Sequence, residues 1–63
     1  MQFNCTIEMY NDAFAYKPSL ELSIILNKLA AHLERFGDLE PMDGYLRDTN
    51  GNKVGYYKLE GEN

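Results

Sequence analysis

Asp48-Thr49-Asn50-Gly51-Asn52 is the densest run of side-chain oxygens in the chain. Oxygens at alternating positions are how a calcium loop begins. That loop needs Gly at its sixth position and a bidentate Glu at its twelfth. Here those positions hold Lys53 and Leu59, so the ligand set is incomplete. The same five residues suit a β-turn, in which Asp and Asn satisfy local backbone groups.

Cys5 and His32 are the only residues of their types. One of each cannot assemble the usual structural zinc site, and one cysteine cannot form an internal disulfide. His32 has no Ser or Cys beside it by spacing. Ser19 and Ser23 lie on the same segment, more than two helical turns away. No nucleophile–base pair results. Carboxylate pairs such as Glu8 with Glu21 can be drawn, but no spacing places them together. Gly44, Gly51 and Gly55 belong to a hairpin and not to a phosphate-binding loop. The sequence therefore offers no catalytic, cofactor-binding or metal-binding residue, and the chain is read as a non-enzyme.

Side chains suited to contact are better represented. Tyr45, Arg47 and Tyr56, joined by Val54 and Lys58, fall on one side of the expected hairpin. Tyr and Arg supply area and hydrogen bonds at interface hot spots. Cross-strand aromatic pairs also stabilise sheets by themselves. Both readings apply to these residues.

The elements that carry them follow from periodicity. Phe3, Cys5, Ile7 and Met9 alternate with Gln2, Asn4, Thr6 and Glu8. This is the period-two pattern of a strand with one apolar face. Cys5 on that face reads as a small buried hydrophobe. Phe14 and Tyr16 in the connection read as residues folding back on the core. Pro18 suits the first turn of a helix. Glu21 complements the positive helix start, and Arg35 the negative end. Gly37 is the expected stop.

Within that helix, Leu22, Ile25, Leu26, Leu29, Leu33 and Phe36 form one apolar stripe at the helical repeat. Leu20, Ile24 and Ala31 lie nearly opposite. They form either an ordinary scatter of surface apolar residues or a contact surface. The segment 38–43 is acidic, contains Pro41 and reads as a loop.

Asn50-Gly51 is the strongest short hairpin signal, because both residues accept positive φ. A two-residue turn there pairs Thr49 with Asn52, Arg47 with Val54 and Tyr45 with Tyr56. Leu46, Gly55, Tyr57 and Leu59 then share the inner face. The order is strand, helix, strand, strand. The fold class is α+β: a single domain over 1–63, with a three-stranded sheet and one helix packed on one face. The first strand can pair with either hairpin strand.

The chain has 63 residues and a formal charge of −4. A domain this short buries only about 60% of its unfolded surface, so its core is thin. Without disulfides or a metal, extra stability is left to oligomerisation, partner binding or good packing. The acidic balance and scattered cations argue against an electrostatic grip on nucleic acid. No apolar run approaches the length of a membrane span, and the first residues lack the basic start of a leader peptide. The expected location is the cytoplasm.

Asn11-Asp12-Ala13-Phe14, Pro18, the helix of the LxxILxxLA kind at 22–30, and the LRDxNGNxVG hairpin at 46–55 resemble a group of short phage and prophage accessory proteins. Members of that group mostly carry no assigned activity, so the resemblance implies no catalytic residue. It implies a mobile-element product in a host cell that binds and modulates a host or phage protein, a host defence component among the options. Together these readings give an interaction protein, expected to be a homodimer, acting through Leu20, Ile24, Ala31, Tyr45, Arg47 and Tyr56. The alternatives are an acidic mimic of nucleic acid, with Glu34, Asp38, Glu40 and Asp43 along one edge, and a small nucleic-acid-associated regulator.

Overall fold

The computed structural model describes residues 1–36 and 42–61. Strand β1 (Gln2–Ile7) leads through a 3₁₀ turn (Asp12–Phe14) into helix α1 (Pro18–Phe36), followed by β2 (Met42–Arg47) and β3 (Lys53–Glu60). This is the expected α+β order. The three strands form an antiparallel sheet in the order β1-β3-β2. The sequence left the partner of β1 open. It is β3, with Phe3 opposite Leu59 and Cys5 opposite Tyr57.

Helix α1 begins as its sequence requires. The amide of Glu21 donates to the carbonyl of Lys17 at 3.1 Å, which makes Lys17 the N-cap and Pro18 the first helical residue, where its missing N–H costs nothing. The helix lays Ile25 and Leu29 on the sheet. They meet Phe14, Leu46, Val54 and Tyr57, and these six form the buried core, with Ile7, Ala13, Leu33 and Met42 packed against it. The expected helix stripe is only partly covered. Leu26 and Phe36 remain about two-fifths exposed, at 42% and 43%, because the helix meets a narrow sheet along one line. Gly37 and the acidic residues Asp38 and Glu40 fall outside the described residues. Asp43 is in β2, not in a loop.

Three expectations about the β1 end of the chain and the hairpin need correction. Phe14 enters the core, but Tyr16 is 98% exposed and caps nothing. Cys5 sits on the inner face opposite Tyr57 yet is exposed, because among the described residues no element covers the β1 side of that face at Cys5. The hairpin is also wider than a two-residue turn. Asp48 N–H donates to Asn52 O at 3.0 Å, and Gly51 N–H donates to Asp48 O at 2.9 Å. The loop is therefore Thr49-Asn50-Gly51. Gly51 has φ +86°, and among the described residues no non-glycine residue has positive φ. A two-residue turn of the type I′ kind would force Asn50 into that region too.

The wider loop shifts the register. Tyr45 pairs with Tyr56 and Leu46 with Gly55, as expected, but Arg47 faces Lys53 and not Val54. Val54 is the extra residue of a β-bulge, and a bulge re-aims the side chain it carries. Val54 leaves the outer face and enters the core, 5% exposed. Its neighbour Gly55 lies where β1 comes closest: a Cβ there would run into the carbonyl oxygen of Thr6.

Candidate functional site

The hairpin loop is locked from inside. The Asp48 carboxylate is buried. Its Oδ1 accepts the amides of Asn50 and Asn52, each at 2.9 Å, and its Oδ2 accepts Asn11 Nδ2 at 3.1 Å. Burial alone would raise its pKa. The donors from Asn52, Asn11 and Asn50 outweigh that and hold it below the ordinary value. Both oxygens point at N–H groups, which is turn geometry and not a cation's ligand shell. Among the described residues no three His, Cys, Asp or Glu side chains are grouped as a metal site.

Glu21 is buried in the same region. It accepts Thr49 N–H at 2.8 Å on Oε2 and the Thr49 hydroxyl at 3.2 Å on Oε1. Sequence reasoning saw in Glu21 only a helix-start charge. Its spacing from Thr49 carries no local signal, so only the tertiary fold reveals the contact.

The outer sheet face carries the aromatic cluster. Tyr45 and Tyr56 meet edge to face, ring centroids 5.7 Å apart at 62°. This geometry suits the aromatic quadrupole. Lys53 Nζ lies 4.2 Å from the centre of the Tyr45 ring, within cation–π range. The Tyr56 hydroxyl donates to Asp43 Oδ2 at 2.9 Å. That bond, with partial desolvation and nearby negative charge, pushes the phenol pKa up. Arg47 Nη1 donates to Gly51 O at 2.9 Å, so the guanidinium braces the loop it precedes. A groove of about 280 Å³ runs over this face, walled by Thr6, Glu8, Tyr45, Lys53 and Tyr56.

The helix residues named from the sequence do not join this cluster. Leu20 is 53% exposed, Ile24 is half-buried and Ala31 is exposed, but α1 packs on the opposite face of the sheet. The structure thus brings Tyr45 and Tyr56 together, turns Arg47 to the loop carbonyl of Gly51, and leaves Leu20, Ile24 and Ala31 apart.

A second groove, about 460 Å³, lies between α1 and β2, with Lys28, His32, Arg47 and Tyr57 in its walls. The His32 ring stands edge-on to Tyr57 at 6.4 Å and packs against Phe36 at 5.0 Å. The spacing of Lys28 and His32 on one helix flank was the available signal for this groove; the position of β2 was not. The Thr49 hydroxyl in its wall donates to Glu21 at 3.2 Å. Cys5 has no part in it. It lies outside this groove, and partial desolvation of its thiol raises its pKa, the reverse of what a reactive thiolate needs.

No helix among the described residues is long and apolar enough to cross a membrane. No family model, no curated protein and no solved structure matches the chain.

Proposed function

We propose that this chain is a non-enzymatic interaction protein: a phage or prophage accessory product that acts as a homodimer in the host cytoplasm and binds a host or phage protein. The observation that carries the reading is the outer face. Tyr45 is 63% and Tyr56 42% exposed, yet their rings are already held by each other, by Lys53 and by Asp43. Aromatic side chains fixed before contact lose little conformational entropy on binding, which favours an interface. Leu20 supplies a separate apolar contact on the helix.

The acidic-mimic alternative has less support. Of the four acids it was placed on, Asp43 is engaged by Tyr56, Glu34 is exposed on α1, and Asp38 and Glu40 lie outside the described residues.

The test is affinity capture with the wild-type chain and with a Tyr45→Ala/Tyr56→Ala double variant whose circular dichroism matches the wild type. A protein held by the wild type and lost by the double variant supports the reading. Equal capture by both removes the tyrosine face from the proposal.

A further inference from the structure

Strand β1 is unusual among the three. It lies at an edge of the sheet, and among the described residues no strand pairs with its outer side. Natural edge strands are guarded by charge, proline or a bulge. The other edge strand, β2, carries Asp43 and Arg47 and lies opposite the bulge. β1 reads Gln2-Phe3-Asn4-Cys5-Thr6-Ile7, with no charge, no proline and an unbroken register.

Its inner face is also uncovered. Phe3 is 42% exposed and Cys5 is exposed, although both point to the helix side. Lys28 and His32 turn toward β2. At the helical repeat, Leu22, Leu26 and Leu33 occupy the other flank of α1, and Leu26 is 42% exposed. An open backbone edge and a half-covered apolar face therefore coincide on one strand.

We infer that β1 pairs antiparallel with β1 of a second copy across a two-fold axis, joining two three-stranded sheets into one of six strands. This rests on the homodimer part of the function proposed above and names the surface that closes it.

The occupant is argued from charge and register. Each chain is at −4, so two copies repel over most of their surface, but β1 brings no charge to its own pairing. Side chains opposite each other in a sheet share a face, so odd residues must meet odd ones. The two registers with the longest overlap place Asn4 opposite Asn4 of the second copy, or Cys5 opposite its Cys5. Either sets apolar against apolar. Pairing five residues a side and covering Phe3 and Cys5 makes a small contact, of the size class of weak, concentration-dependent association.

The experiment is light scattering from micromolar to near-millimolar concentration, on the wild type and on Asn4→Glu, Cys5→Glu and Leu20→Glu. Asn4→Glu faces Lys58 across β3, so it suits the monomer; circular dichroism checks the fold of each variant. The wild type is expected to approach twice the 7.3 kDa chain mass. The glutamate nearest the axis sets like charges against each other and is expected to raise the dimer dissociation constant roughly tenfold or more. Leu20→Glu is expected to leave it unchanged. A wild type that stays monomeric throughout overturns the inference, as does a dimer indifferent to both β1 variants. Neither result touches capture through Tyr45 and Tyr56, which the double-alanine variant judges separately.

Discussion

Glu21, in the first turn of α1, and Thr49, at the tip of the hairpin, are joined by two hydrogen bonds across 28 residues of chain. A buried carboxylate with two donors from one residue fixes both the height and the rotation of the helix over the sheet. Removing the acceptor leaves the Thr49 amide without a partner, which costs about 1–3 kcal/mol. Glu21→Ala is therefore expected to destabilise by about 2 kcal/mol, and Thr49→Val, which keeps the amide bond, by about 1 kcal/mol or less. Urea unfolding monitored by circular dichroism reads both. Equal losses would show that the hydroxyl bond carries the contact and that the amide bond adds little.

Asp48 predicts an acid limit. Its folded pKa lies below the ordinary 3.8, so the unfolded chain binds the proton more readily. Stability from this group is full above that ordinary value and is lost as pH falls through the lower, folded one. The thermal midpoint of the wild type should drop through that acid window. Asp48→Asn should start lower at neutral pH and show less of the acid-side slope. A variant with the wild-type slope would assign acid unfolding to other carboxylates.

Tyr56 predicts the opposite limit. Its phenol pKa is raised above the ordinary 10.0, first by the bond to Asp43. The stabilisation is full below that ordinary value and is lost as pH rises through the higher, folded one. Ultraviolet titration should place the Tyr56 phenol above that ordinary value. Asp43→Asn should bring it back down. If the raised value survives that change, the Asp43 bond is not its cause.

How far the sequence could be read depended on the range of the interactions involved. The alternation in β1, the proline start of α1 and the Asn-Gly signal are local, and each marked an element that is present, although the strand read through Met9 to Tyr10 stops at Ile7 and the Asn-Gly loop has three residues. Tyr45 opposite Tyr56 was legible because the hairpin is short. Val54 was misplaced because a single extra residue in β3 re-aims the side chain at that position, and the bulge depends on whether the loop has two or three residues. Phe14 and Tyr16 lie two apart in a connection, where no periodicity separates inside from outside. Glu21 with Thr49 and Asn11 with Asp48 are long-range polar contacts. Their residue types are legible one by one, but their pairing is visible only after the helix and sheet are docked. The outer aromatic cluster was therefore readable in outline, and the polar lock behind it was not.

The order β1-β3-β2 has a consequence for synthesis. β3 is the last of the three strands to leave the ribosome, yet it stands in the middle, and β1 and β2 touch only through it. Until it emerges, the early segment holds an unpaired, uncharged strand beside a nascent helix, with no sheet to join. Such non-local pairing is slow to form and exposes sticky backbone while it waits. The native topology thus makes the arrival of β3 a single all-or-nothing event.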